Sequence, residues 1–496
     1  MNKRIVRKFI LPVILFVLLM TPGGVLLADE QENGYGNADV GETEAIILNG
    51  KPLKVKEVIK IILDNDVDAS ALMYEAVMSD SSYRKLQNKY KLDINAYGSY
   101  YGTQSEKFSV AKDLGTGTNV EVGAMNGNYA SQFLASGTGL LSYQPPNNKF
   151  YGFLTVRQDL LKNVFGINDR EQMEILKTST ESDRAVIIDR ITELTASAIY
   201  ECWDLAMKAA SMKNAKEQLD SIKQVRDIIA TNLEYGLAES YDLNQYNAAV
   251  LLAESSFNTI KKEYDKAAKG LLREMNLKGE NNIEGSVSIS AAEYKIGEKT
   301  ALDKIYDKRN DYRNAVTAVE VAKKKVNMYG NSGLPSLTAS YMAETDSINN
   351  APEWGAEISF NLPIGETDNS TDLRNSRLEL KEARDKLELK KIEIRDDVEN
   401  ATDSIETTDY ALKKTKEARL QTELYYKRMF VRFKQGKLNA AVLKTGLDNL
   451  ISARQQELSA CVDYNMAILK YQVTINDVFE SNGIDINEYV NKSVKE

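Results

Sequence analysis

The 496-residue chain contains no histidine. That removes the commonest general base, the commonest zinc ligand and any Ser-His or Cys-His nucleophile pair. No Gly-x-x-x-x-Gly-Lys-Ser/Thr loop occurs, so nothing marks a nucleotide phosphate site. Cysteine is limited to Cys202 and Cys461. Both fall in helical pattern and read as buried small hydrophobes, so no disulfide, metal or cofactor is assigned. Proline is scarce and unevenly spread: none lies between Pro146 and Pro335, and none follows Pro363. Proline breaks helix interiors, so those gaps leave room for very long helices.

What is present points to a folded, exported chain. Charged residues make up 27% and hydrophobic ones 43%, outside the range of disordered sequences. Residues 1–28 are expected to be a signal peptide: a basic NKRIVRK start, an apolar FILPVILFVLLM run and Ala28 at the cut. The apolar run is short for an uncleaved membrane span. The leader holds Lys3, Arg4, Arg7 and Lys8 and no acid, so cleavage takes the net charge from −9 to −13. Such an acidic chain is a poor nucleic-acid binder.

Helical signal dominates. Ile191, Ala198, Leu205, Met212 and Leu219 recur every seven residues, and Leu380, Leu387, Ile394 and Ala401 do so again. Heptads of this kind suit a coiled-coil seam, and an ordinary helical bundle equally well. A repeat narrows the choice. The stretch from Tyr235 aligns without a gap on the stretch from Gln435, so that Gly236 meets Gly436, Leu243 meets Leu443 and Tyr264 meets Tyr464. Each copy reads as a long helix, a glycine able to end it in the left-handed conformation, a short turn and a second long helix.

Between the helices lie strands. In PEWGAEISFNLPIG, Trp354, Ala356, Ile358, Phe360 and Leu362 share one face, while Glu357, Ser359 and Asn361 share the other. FYGFLTVRQDLL can be laid on it, with Leu154 on Ile358 and Val156 on Phe360, which puts Arg157 on the polar face. Upstream runs alternate as well: Ile94, Ala96, Gly98 and Tyr100, and Leu337, Ala339, Tyr341 and Ala343. Each half thus offers two strands of about ten residues, the length that crosses a bilayer in a tilted barrel. A soluble sandwich shows similar alternation. Four strands cannot close a barrel, since small barrels need about eight, and open edges in lipid are costly. The chain is expected to complete the barrel with copies of itself.

This combination resembles the TolC-like outer-membrane efflux proteins over nearly all the mature chain. RNDYRNAVTAVEVAKKKVNMYGNSGLPSLTASY is similar to the family's helix rising into a Leu-Pro-Ser-Leu strand. WGAEISFNLPIG is similar to its returning strand, and YGLAESYDLNQYNAA and FKQGKLNAAVLKTGLDNLISARQQEL to its two helical tips. The resemblance implies a mixed α/β channel. Three chains with four strands each would form a twelve-stranded barrel, continued by a coiled-coil tunnel and built on an internal two-fold repeat. It implies a passive exit duct of a tripartite efflux pump or type I secretion system, without catalysis. Its partners would be a homotrimer, a periplasmic adaptor, an inner-membrane pump and outer-membrane lipid, with no nucleic acid.

The expected divisions are a signal peptide (1–28), an N-terminal segment and first helix (29–91), and a first strand pair with a long external loop (92–161). A first helical hairpin (162–277), an equatorial linker (278–300) and a helix (301–333) follow. The second strand pair (334–365), second hairpin (366–478) and C-terminal tail (479–496) complete the chain. GTNVEVGAMNG, inside the long first loop, is either an added hairpin above the membrane or a surface loop. By resemblance, Asp242, Val442, Leu443 and Thr445 are gate or constriction residues. Gly236, Leu237, Gly436, Lys437 and Leu438 are adaptor-facing tips. Asp242 could equally be a solvated turn residue. Val442, Thr445 and Leu438 stand where some family members carry aspartate or arginine, so an ion-paired gate is not expected there. Two other classes fit parts of the pattern: a periplasmic adaptor, which lacks duplicated strands and carries a lipoyl-like half-motif, and a helical surface scaffold, which needs no aromatic-faced strands.

Overall fold

The computed structural model describes residues 35–39, 43–100, 104–126, 150–236, 239–277, 281–286, 289–300, 302–346, 352–362 and 368–492. The expected leader and Leu237 lie outside them. Two helical hairpins form the body. The first joins α4 (Ile167–Glu234, 68 residues) to α5 (Ser240–Glu274, 35 residues). The second joins α8 (Asp368–Lys434, 67 residues) to α9 (Ala440–Thr474, 35 residues). The two turns are alike: Gly236 and Gly436 have φ of 71° and 67°, and each donates its N–H to a carbonyl three residues back, Leu233 and Phe433. Only glycine adopts that backbone without a Cβ penalty. A 200-residue shift carries 240–274 onto 440–474. Asn276 and Asn476, which follow these helices, both have positive φ.

The heptads face inward. Ile191, Ala198 and Leu205 of α4 and Ile394 of α8 are 0% exposed. They join Trp203 and Tyr471 in the main core. The preceding segment contributes β1 (Tyr35–Asp39), β2 (Glu44–Leu48), β3 (Lys51–Lys54) and helices α1 (Val55–Asn65), α2 (Val67–Met78) and α3 (Ser81–Asn88). The segment read as a linker is sheet: β8 (Ile283–Gly285) extends β2–β3, and β9 (Glu293–Thr300) pairs with β1. Gly285 lies so close to the Leu205 carbonyl that a Cβ would sit 2.4 Å from it. The helix expected over 301–333 is two, α6 (Leu302–Lys308) and α7 (Asn310–Ser332). The segment read as a tail folds back as α10 (Val478–Ser481) and α11 (Ile486–Lys492), with Phe479, Ile484 and Val490 buried in the main core. Apolar side chains in a short terminal stretch are the physical reason.

The largest sheet departs from the expectation of four strands per chain. It has six, in the order β11-β10-β7-β6-β5-β4. These are β4 (Leu92–Tyr100), β5 (Gln104–Leu114), β6 (Thr118–Asn126), β7 (Phe150–Asp159), β10 (Ser336–Asp346) and β11 (Pro352–Asn361). Residues 104–126, assigned to an external loop, form a hairpin between β4 and β7, and every neighbouring pair is antiparallel. Alternation explains the hairpin: Phe108 and Val110, then Val120, Val122 and Ala124, flank a Gly-Thr-Gly turn. A twelve-stranded total for three copies therefore does not follow from this sheet.

Candidate membrane wall and helical tips

The register of the six strands sorts their side chains into two faces. One row runs across the whole sheet as Ile94, Val110, Val122, Leu154, Ala343 and Trp354. Alternation puts Phe108, Val156, Tyr341, Ala356, Ile358, Phe360 and Leu362 on that same face. Trp354, Ile358 and Phe360 are 69%, 74% and 60% exposed. So large a bare apolar surface marks a contact with lipid or another protein.

The other face is mainly polar, around a small buried cluster of Met125, Phe153 and Met342. Arg157, Ser340 and Glu357 are consecutive in register, and Ser359 and Asn361 pair with Thr338 and Ser336 on the same side. Arg157, Glu357, Ser359 and Asn361, expected from the sequence on one polar face, therefore share it. Sequence reading missed a second polar group there. Lys107 pairs with Glu121 at 2.7 Å, Ser109 donates to Glu121 at 2.6 Å, and the Lys107 ammonium lies 5.2 Å from the Phe153 ring centroid. Its signal was the same alternation that marks the hairpin.

At the opposite end of the long helices the tips form a second core, including Ile222, Tyr246, Val250, Phe433, Leu443 and Leu447. It joins the hairpins to each other. The buried Tyr246 hydroxyl donates to the Ala440 carbonyl at 2.6 Å. Burial, followed by the charge of Asp448, pushes the Tyr246 phenol up to about 12, so it stays a donor in ordinary buffers. Asn439 caps α9 by accepting from the Ala441 N–H at 2.7 Å. The residues assigned to a gate are not equivalent. Leu443 is 1% exposed inside the tip core, whereas Val442 beside it is 45% exposed. Thr445 is exposed and donates back to the Ala441 carbonyl. Asp242 lies half-buried in the first turn of α5, where a carboxylate favours the helix dipole. Gly236, Gly436 and Lys437 are exposed, while Leu438 packs against the tip core. Among the described residues no helix is long and apolar enough to cross a membrane, and no three His, Cys, Asp or Glu could share a metal ion.

No family model matches the chain, and no curated protein does. Solved structures do. The Campylobacter jejuni CmeC outer membrane channel superposes with a TM-score of 0.65 at 14% identity, over 89% of this chain and 89% of that one. The open state of the Neisseria gonorrhoeae MtrE outer membrane channel gives 0.64 at 15% identity, over 92% and 96%. The Vibrio cholerae outer membrane protein VceC gives 0.60 at 13% identity, over 85% and 95%. The chain has the fold of these outer-membrane channels.

Proposed function

We propose that the protein is the outer-membrane exit duct of a tripartite efflux pump or type I secretion system, a passive conduit and not an enzyme. One observation carries the reading: an apolar row unbroken across six antiparallel strands, backed by a polar face, on the ends of two long helical hairpins. Lipid accepts the first face and water the second. Trp354, Ala356, Ile358, Phe360 and Leu362 would face lipid, and Arg157, Glu357, Ser359 and Asn361 the lumen. Among the described residues, neither outer strand, β4 or β11, has a second partner strand in the sheet. Open edges in hydrocarbon cost several kcal/mol per group, which favours closure by three copies, each built on the internal two-fold repeat.

The helical stem would cross the periplasm after export. Its tips, with Gly236, Leu237, Gly436, Lys437 and Leu438, would meet a periplasmic adaptor that joins the duct to an energy-supplying inner-membrane pump. Asp242, repeated in each copy, would ring the constriction, and Val442 and Thr445 would border it. The test is fractionation followed by Ile358→Arg and Ser359→Arg. Wild type should reach the outer membrane as a trimer and pass current in a planar bilayer. Arginine at the mid-bilayer lipid face costs about 2–4 kcal/mol per chain, so Ile358→Arg should block insertion and Ser359→Arg should not. Equal tolerance of both would show that this sheet is not a membrane wall. A stable monomer would rule out the shared barrel.

A further inference from the structure

We infer that the hairpin β5–β6 is part of the transmembrane wall, so that each copy supplies six staves and three copies close an eighteen-stranded barrel, β11 of one against β4 of the next. The inference rests on the membrane-channel reading and goes beyond it by assigning the strand number of the barrel.

Four observations carry it. First, height: the hairpin turn lies at the helical end of the sheet, not at its far end. The Asp159 N–H donates to the Gly117 carbonyl at 3.2 Å, and the Gly117 backbone packs on Asn163 and Gly166, where β7 passes into α4. The hairpin therefore spans the same height as β7. Second, length: β5 has 11 residues and β6 has 9, enough to cross a bilayer when tilted. Third, faces: Phe108 and Val122 are 56% and 52% exposed on the apolar side, while Lys107 and Glu121 pair on the polar side. The charges on the apolar side, Glu106 and Lys112, lie towards the two ends of β5, opposite Gly98 and Leu92. There a long side chain can reach the interface. Fourth, direction: β4 runs away from the helical end and β11 runs back to it, as an even antiparallel meander requires. Head-to-tail copies thus meet antiparallel at every seam and leave no edge.

The consequence is a wider bore. With strands about 4.8 Å apart and tilted about 40°, twelve give a backbone diameter of roughly 24 Å and eighteen roughly 36 Å. The inserted hairpin adds Lys107, Glu121, Asp113 and Asn119 to the inner face of each copy, the last two joined by a 2.6 Å hydrogen bond. The partner of each exposed sheet edge is a second copy of this chain, because only its opposite edge continues both the alternation of direction and the apolar face.

The test uses the full trimer in lipid nanodiscs, with an environment-sensitive fluorophore on a single introduced cysteine, Val122→Cys, Asn119→Cys or Ile358→Cys. The two native thiols are buried. Brominated lipid should quench Val122 and Ile358 alike, and aqueous iodide should quench Asn119. Quenching of Ile358 but not Val122 by the lipid places the hairpin outside the wall; it overturns the inference and leaves the channel reading standing. Lipid quenching at neither position overturns both. A projection map of the same particles should count eighteen strands, and a ring of twelve refutes the proposal.

Discussion

Replacing Tyr246 by phenylalanine should loosen the contact between the two helical tips. The ring is 2% exposed and packs with Val250 and Leu443, so phenylalanine keeps the packing and loses only the hydroxyl. What disappears is a 2.6 Å hydrogen bond to the Ala440 carbonyl, 194 residues away in sequence. Ala440 opens α9, so its carbonyl keeps a place in the helix's own bonding pattern and is not left orphaned. The loss is therefore the net value of one hydrogen bond, about 1 kcal/mol, or about fivefold in a local opening equilibrium. Amide hydrogen exchange at Val250 and Leu443 reads that equilibrium directly. On the proposed channel reading, single-channel open probability should rise in the same direction. Because the phenol is held up to about 12 by burial, wild-type protection at these amides should not show a step between pH 7 and 10 from its ionisation. An unchanged exchange rate in Tyr246→Phe would mean that the hydroxyl does not hold the tips, and that packing alone does.

Leu443→Ala should cost about 2–5 kcal/mol by opening a cavity in the tip core, seen as a fall in thermal midpoint, while Val442→Ser, at a half-exposed site, should leave stability nearly unchanged. Gly236→Ala or Gly436→Ala should each cost about 1–2 kcal/mol from left-handed backbone strain alone, measured by denaturant unfolding, since space at both sites is open. Burial, then the hydrogen bond and charge of Glu201, raises the Glu274 carboxyl from 4.5 to about 8. A raised folded value favours the neutral acid, so its contribution is complete below about pH 4.5 and is lost as pH climbs through about 8; Glu274→Gln should flatten that fall in a melting-temperature series. Asp242→Asn should reduce cation preference in reversal-potential measurements, with a smaller effect on opening than Tyr246→Phe.

Legibility in the sequence followed how local the cause was. Alternation at 352–362 needs no partner to be read, because its apolar and polar faces differ at every residue. The turns at Gly236 and Gly436 were legible for a similar reason: a left-handed residue between two long helices strongly favours glycine. Strand β5 was harder. Glu106 and Lys112 interrupt its apolar face, and their harmless position near the strand ends shows only when β4 lies alongside. The collar formed by β2, β3 and β8 was not legible as a whole, because β8 is specified by a partner more than two hundred residues away, as in the pairing of Ile46 with Gly285. Tyr246 sat in a quoted tip motif without a role for the same reason. Its acceptor is a backbone carbonyl on another hairpin, and no side-chain pattern announces one. Leu443 and Val442 are neighbours of similar chemistry, and only the packing of four helices separates the buried one from the exposed one.

The meeting of the tips has its own physical basis in helix length. At 1.5 Å per residue, helices of 68 and 67 residues rise about 100 Å each, and differ by less than one turn. Both begin beside the sheet, α4 soon after β7 and α8 soon after β11, so both end at the same height. The returning helices are equal as well, at 35 residues each. Equal rise brings Tyr246, in the second turn of α5, level with Ala440 at the start of α9, and lets Ile222, Val250, Phe433 and Leu443 share one core. A heptad gained in one long helix alone would offset the tips by about 10 Å, farther than a tyrosine can bridge. The matched lengths are therefore a condition of the tip core, and the sheet and tips constrain each other through the rise of two long helices.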